Sequence, residues 1–284
     1  MNHITPRPRL LAIDLDGTLL DHQGKISTPN AMLLSEAVNS QVEVVPVSAR
    51  AVFGIQFALR GLDCYCRLIA FNGAYVFDHA ADQVMLDLRI GPDQVLEILN
   101  LVKKHGLYAG YYLGNEFYAE VDGESARLEG RFQGRLPQFV PDLREFVPRG
   151  ANKLIILETR DLEKLRQFNE EANLTLTGLN MPYSSYCSIE ITRQDVSKGS
   201  GLRFLAEQLG IQPDEVMAIG DNYNDISMLS YAGVSIAVGN APAEVRAAAN
   251  YVVAPCEADG VAEAISRFIF QRDWPEARVN GTRM

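Results

Sequence analysis

The chain has 284 residues, 47% hydrophobic and 22% charged, with a formal net charge of −10. That length buries a full core and exceeds the usual single-domain size, which predicts one large domain or a core carrying an insertion. The negative balance argues against nucleic acid or an anionic membrane surface as partner, because the summed field repels polyanions at long range, yet it leaves room for a small phosphorylated metabolite beside a local cation.

In chain order, "MNHITPRPRLLAID" has too short an apolar run for a signal peptide, and no stretch approaches the length of a membrane span, so a cytoplasmic protein is expected. "LLAIDLDGTLLD" (10–21) drives a strand into two acids. If the strand continues through them, Asp14 and Asp16 point to the same side. "STPNAMLLSEAVNS" predicts a helix with Ser27 or Thr28 as N-cap and Pro29 in the first turn. "VEVVPV" (42–47) and "RLIAFNG" (67–73) lack alternation, as strands covered on both faces do, which predicts a parallel α/β sheet. Pro46 is unusual for a central strand of such a sheet. "RAVFGIQFALRG" reads as a helix for which Ser48 is a candidate N-cap.

The middle of the chain has a different pattern. "DQVLEILNLVKKHG" sets Val95, Ile98, Leu99 and Val102 on one helical face and stops at Gly106. "YAGYYLGNEFYAEV" predicts a hairpin turning at Gly114-Asn115. "NKLIILET", "DLEKLRQFNEEAN", "LTLTGL" and "SYCSIEIT" follow as strand, helix, strand, strand. Together they predict an α+β insertion on an antiparallel sheet. Within it, Arg127, Arg131 and Arg135 recur every four residues and would share one side of a helix. Glycines interrupt the stretch, so a solvated loop is expected, with a substrate-contacting loop as the alternative.

From about residue 194 the first pattern returns. "SKGSGLRFLAEQLG" is a helix with Leu202, Leu205, Ala206 and Leu209 inside, and "VMAIGDN", "VSIAVGN" and "YVVAP" are strands. The final "DWPEARVNGTRM" is polar and expected to fray, and Trp274 in it is given no role. The four cysteines, Cys64, Cys66, Cys187 and Cys256, form no CxxC pair and read as reduced, mostly buried thiols. The four histidines match no ligand spacing.

The chemistry lies where polar residues end apolar runs. "LLAID" ends on Asp14, "VVPVS" on Ser48 and "VMAIGD" on Asp221, and in an open parallel sheet such ends line one edge, where ligands bind. Lys198, opening a helix after the insertion, can join them. A phosphate monoester approaching a carboxylate at about 3.5 Å meets roughly 10 kcal/mol of repulsion at an effective dielectric of 20. A divalent cation held by Asp14 and Asp221, with the Lys198 ammonium opposite, reverses the sign. Magnesium suits such an oxygen-only site. Asp14 can then attack phosphorus, and Asp16 can protonate the departing alkoxide and later deprotonate water. Gly17 permits a tight turn, and Thr18 is expected to hydrogen-bond Asp16. Taken singly, these residues have plainer explanations: a solvated turn for Asp14 and Asp16, a surface lysine for Lys198, a helix cap for Asp225.

In order and together, "DLDGTL", "VSAR", Lys198 in "SKGSGL" and "GDNYNDISML" resemble the four motifs of the haloacid dehalogenase superfamily of phosphohydrolases. The spacing is most similar to the Cof-type members (subfamily IIB), with a large C2-type cap inserted between the second and third motifs. The resemblance implies an α/β Rossmann-like core over 1–83 and 189–284, and an α+β cap over 84–188 that closes over the site and selects the leaving group. It implies Asp14 as nucleophile forming a phosphoaspartyl intermediate, Asp16 as general acid/base, and Ser48 and Lys198 as further catalytic groups. Mg2+ would be bound by the Asp14 carboxylate, the Asp16 backbone carbonyl and Asp221, with Asp225 acting through the metal's waters. Leu15, Ser48, the Ala49 amide, Lys198 and Asn224 would hold the transferring phosphate, while Asn72 in "FNGA" is similar to a structural Asn-Gly turn. Motif two departs from the usual Thr-Gly-Arg: Ser48 keeps the hydroxyl, and Ala49 adds a methyl. The expected reaction is hydrolysis of small phosphate monoesters, sugar phosphates first. A phosphomutase-like transferase and a non-enzymatic phospholigand-binding protein are the alternatives.

Overall fold

The apolar runs from the two ends of the chain meet in one parallel sheet. The computed structural model describes residues 7–62 and 64–274; the rest of the chain, including 275–284 of the polar tail, lies outside the described residues. Leu10–Ile13, buried along its whole length, pairs in parallel with Val216–Gly220 on one side and Glu43–Pro46 on the other. Val234–Val238 and Tyr251–Val253 extend the sheet, also in parallel. Counted along the chain, these five strands lie in the spatial order 2-1-3-4-5. The order reverses between the first strand and Val216–Gly220, and that reversal opens a crevice at the strands' carboxyl ends.

Glu43–Pro46 is an edge strand of this sheet, which accounts for its proline. Val47 N–H donates to the Ile13 carbonyl at 2.8 Å, so by alternation the nitrogen of Pro46 points away from the ladder. Thr28–Asn39 is capped as expected, with Ser27 Oγ accepting from Asn30 N–H at 3.3 Å. Lys198–Gln208 buries Leu202, Leu205 and Ala206 and packs close to Ile226–Tyr231. Gly199 permits that approach: a Cβ there would stand 2.3 Å from the Ser227 carbonyl oxygen.

The chain divides into two compact units. One comprises the described residues of Met1–Ser48, Arg60–Leu68 and Lys198–Met284; the other comprises Ala49–Leu59 and Ile69–Ser197. The second contains all of 84–188 together with 69–83, 189–197 and the short Ala49–Leu59 segment. That segment is tied to it by polar contacts: Ala49 C=O accepts from Lys153 Nζ at 2.9 Å, and Ala51 N–H donates to Gln133 Oε1 at 3.1 Å.

In this second unit Tyr108–Leu113, Glu116–Ala119, Lys153–Leu157 and Ser188–Arg193 form the body of a largely antiparallel sheet. Pro92–His105 and Leu162–Thr175 cover one face, with Ile98, Leu99, Val102, Leu165 and Phe168 clustered against Tyr111, Leu154, Ile156 and Ile189. Gly106, at φ 63°, ends the first of these helices, and Gly114-Asn115 turns the hairpin.

Three local expectations are corrected. Glu124–Gln133 is a helix rather than a loop, because Ala126, Glu129, Gly130 and Gln133 form a buried stripe at i, i+3, i+4 and i+7. "LTLTGL" is not a strand: the preceding helix runs on to Thr175, and only Leu179–Asn180 pairs. Ser48 is not a helix cap, since Val52–Ala58 starts after Ala51. No helix among the described residues is long and apolar enough to cross a membrane. All four cysteines are free thiols, with Cys66 exposed and the others buried.

Candidate active site

The site grows from the carboxyl ends on either side of the strand-order reversal. The first strand ends at Ile13, and Asp14 N–H still donates to the Ile219 carbonyl at 3.0 Å, which seats Asp14 beside the end of Val216–Gly220. The chain then turns: Leu20 N–H and Thr18 N–H both donate to the Leu15 carbonyl, at 2.8 and 3.2 Å. The strand therefore does not run through both acids. Asp14 is buried at 5% exposure and Leu15 is fully buried, while Asp16 is exposed. The sequence expectation of two carboxylates on one continued strand is corrected by this turn.

Asp221 follows the Val216–Gly220 strand, and Asp225 closes the short turn Tyr223–Asp225. Asp225 Oδ2 accepts from the backbone N–H groups of Asp221 and Asn222, both at 2.9 Å, so its carboxylate is fixed by its own loop and not by capping the next helix. Lys198, 1% exposed at the start of its helix, donates from Nζ to Asp14 Oδ1 and to Asp225 Oδ1, both at 2.5 Å. Oxygen atoms of Asp14, Asp221 and Asp225 lie within 4.8 Å of one another.

Burial is the first cause that pushes the Asp14 carboxyl well above the usual range; Asp225 and Asp221 add to it, and the Lys198 ammonium opposes it. Burial likewise raises Asp221, with Asp225 adding to the rise and the Thr18 hydrogen bond opposing it. Burial alone would lower Lys198, but the charges of Asp14 and Asp225 outweigh it and hold the ammonium protonated. Three carboxyl groups around one ammonium leave an excess of negative charge in a place with little water. Such an oxygen-only donor set fits a hard divalent cation, which would relieve the strain on both raised acids.

Thr18 corrects another expectation. Its hydroxyl donates to Asp221 Oδ1 at 2.7 Å, tying the turn after the first strand to the end of its neighbour. Gly17, at φ +88°, makes this possible, because a Cβ there would stand 2.6 Å from Asp221 Oδ2.

Of the remaining expected residues, Ser48 is buried just beyond the Glu43–Pro46 strand, and Asn224 lies in the Tyr223–Asp225 turn with its carbonyl accepting from Ser227 Oγ at 3.3 Å. Ala49 opens the segment that belongs to the second unit. Asn72, also in that unit, adopts φ 54° and donates to Glu190 Oε2 at 3.0 Å. Glu190 in turn accepts from the fully buried Lys153 at 2.9 Å. Sequence reasoning missed Lys153 and Glu190: Lys153 opens its strand and Glu190 sits within one, so neither ends an apolar run as Asp14 does. Arg127 pairs with Asp122 at 3.3 Å, Arg131 is exposed, and Arg135 lies beyond the helix, stacked over Phe53 and donating to the Asn115 carbonyl at 2.5 Å. The three arginines therefore do not act as one row.

The sequence profile of the haloacid dehalogenase-like hydrolases matches residues 11–265. The chain is 27% identical over 270 residues to the pyridoxal phosphate phosphatase YbhA of Escherichia coli (strain K12), covering 92% of this chain and 97% of that one. It is 29% identical over 263 residues to the 5-amino-6-(5-phospho-D-ribitylamino)uracil phosphatase YcsE of Bacillus subtilis (strain 168), covering 92% and 96%. The crystal structure of a haloacid dehalogenase-like hydrolase from Bacteroides thetaiotaomicron superposes with a TM-score of 0.85 at 28% identity, covering 92% of this chain and 99% of that one.

Proposed function

Because the chain belongs to the haloacid dehalogenase-like hydrolases of the Cof type and is a phosphatase, we propose that it hydrolyses small phosphate monoesters, sugar phosphates foremost, through an aspartyl-phosphate intermediate. The observation that carries this reading is the constellation of the buried Asp14 and Asp225 and the half-buried Asp221 near the buried Lys198 at the strand-order reversal.

Asp14 is the nucleophile. Its carboxylate oxygen forms a bond to phosphorus while the bond from phosphorus to the ester oxygen breaks, and Asp16 gives its proton to the departing alkoxide. In the second half Asp16 takes a proton from water, the water oxygen bonds to phosphorus, and the bond to Asp14 breaks to release inorganic phosphate and the free carboxylate. Exposure of Asp16 supports this role, since the group must exchange protons with leaving group and solvent in turn.

Lys198 neutralises charge on Asp14 and on the transferring phosphate, and Ser48, the Leu15 and Ala49 backbone and Asn224 hold the phosphate oxygens. Asp14, Asp221 and the Asp16 carbonyl would hold magnesium, with Asp225 acting beside them, and the bound ion would supply positive charge to let a dianionic ester approach a carboxylate. The second compact unit supplies substrate selection. Preference for sugar and polyol phosphates is supported by the names of the relatives, which act on small phosphorylated compounds, one of them a phosphorylated ribityl derivative. A cytoplasmic location belongs to the same reading, resting on the sequence, in which the four cysteines form no CxxC pair and read as reduced thiols.

The test is phosphate release from a panel of sugar, cofactor and nucleotide phosphates with magnesium, comparing wild type with Asp14→Asn. Release that disappears in the variant supports the aspartyl route. Release that persists in Asp14→Asn overturns it.

A further inference from the structure

We propose that Asn240 is a positioning residue for Asp16, an inference that rests on the role given to Asp16 above. Asp16 is exposed and lies in a turn between Gly17 and the buried Leu15. The residue after it is Gly17 at φ +88°, and a glycine permits such a turn without defining it, because it constrains its own backbone least. Hydrogen bonds within the loop hold three N–H groups: Gly17 to the Leu20 carbonyl and Thr18 to the Leu15 carbonyl, both at 3.2 Å, and Leu20 to the Leu15 carbonyl at 2.8 Å. The Gly17 carbonyl is held from outside the loop. Asn240, just beyond the Val234–Val238 strand, donates to it from Nδ2 at 2.8 Å.

Asn240 is itself oriented. Its Oδ1 accepts from Cys256 N–H at 2.9 Å, and since Gly17 offers only an acceptor there and Cys256 only a donor, one orientation of the amide satisfies both. The Gly17–Thr18 dipeptide is thus gripped at its carbonyl by Asn240 and at the Thr18 hydroxyl by Asp221. Asp16 lies between the buried Asp14 and this anchored peptide, so releasing the Gly17 carbonyl loosens the far end of the segment and lets the torsions of Leu15 and Asp16 move the Asp16 side chain relative to Asp14. By holding the peptide, Asn240 sets where the Asp16 proton is delivered. A neutral amide is the group that suits the position, since a carboxylate would face the Gly17 carbonyl without a hydrogen to share.

The test uses the leaving group. A p-nitrophenolate departs without a proton, whereas a sugar alkoxide requires one, and kcat/KM reports the steps up to cleavage of the ester bond. Asn240→Ala and Asn240→Asp should lower kcat/KM for the best sugar phosphate of the panel about 10-fold more than for p-nitrophenyl phosphate. Asn240→Asp keeps the acceptor for Cys256 N–H and carries the comparison if Asn240→Ala fails to fold. In an Asp16→Asn background, Asn240→Ala should cost nothing further on the sugar phosphate, because the group it positions is already gone. Equal losses on both esters, or losses that add to that of Asp16→Asn, overturn the inference and leave a merely structural tie. A wild type that releases phosphate from neither ester overturns the proposed reaction itself.

Discussion

Thr18 Oγ1 donates to Asp221 Oδ1 at 2.7 Å across 203 residues of sequence. The bond joins the turn after the first strand to the end of its parallel neighbour, and so brings the loop that carries Asp14 and a carboxylate of the acidic cluster to the same place. It depends on Gly17, where a side chain would occupy the space of the Asp221 carboxylate.

Gly17→Ala therefore should be costly twice over. The positive φ strains any L side chain and the new methyl meets Asp221 Oδ2 at 2.6 Å, so a loss of about 1–3 kcal/mol of stability is expected, with phosphate release reduced further than stability alone explains. Urea denaturation alongside initial rates checks this. Wild-type stability and activity in the variant would contradict the close packing.

Lys198→Met should destabilise the protein by about 3–5 kcal/mol, because Asp14 and Asp225 are left buried without their shared ammonium. Adding Asp14→Asn and Asp225→Asn to it should restore much of that stability without restoring activity. The wild type, the single variant and the triple variant are compared by denaturant midpoint.

Magnesium should raise the melting temperature of the wild type, by an amount that grows with concentration as binding to the folded state alone requires. At about 100 times the dissociation constant the gain is about 2.7 kcal/mol. Asp221→Asn and Asp14→Asn should each blunt the response, and a chelator should abolish it. An equal magnesium response in both variants would place the cation elsewhere.

His22 and Glu257 offer a pH-dependent contact apart from the carboxylate cluster, with His22 Nδ1 2.5 Å from Glu257 Oε1. The hydrogen bond to Glu257 and its charge raise His22 above its ordinary value of 6.5, and the same bond lowers Glu257 below its ordinary 4.5. A raised histidine contributes stability that is complete below 6.5 and lost as pH rises through the folded value. The lowered glutamate contributes above 4.5 and loses its share as pH falls through its folded value. His22→Ala should thus show its largest, small, deficit in melting temperature between about 4.5 and 6.5 and none in alkali. A deficit that is constant across pH would assign it to packing.

Part of the candidate site was legible in the sequence because an apolar run that stops on a polar residue marks a strand end and a polar group together. Asp14, Ser48 and Asp221 were found that way. The return of strand-and-helix alternation after residue 194 marked a core made from both ends of the chain. Lys153 opens its strand and Glu190 lies between two isoleucines of another, so neither ends an apolar run, and nothing local tells that the two charges face each other as a buried pair at 2.9 Å. The Glu124–Gln133 helix was hidden by its glycine, since propensity disfavours it while burial of Ala126, Glu129 and Gln133 favours it.

By itself, then, the sequence determined the mixed α/β fold and the family, and it picked out the acids that end the apolar runs as candidates, all of which follow from order, spacing and periodicity along the chain. Tertiary structure alone decided that Asp14 is buried while Asp16 is exposed, that Thr18 serves Asp221, and that Asn240 reaches Gly17 across 223 residues. The physical reason is that a hydrogen bond depends on direction and on about 3 Å of distance, and a linear pattern carries neither once the chain has turned.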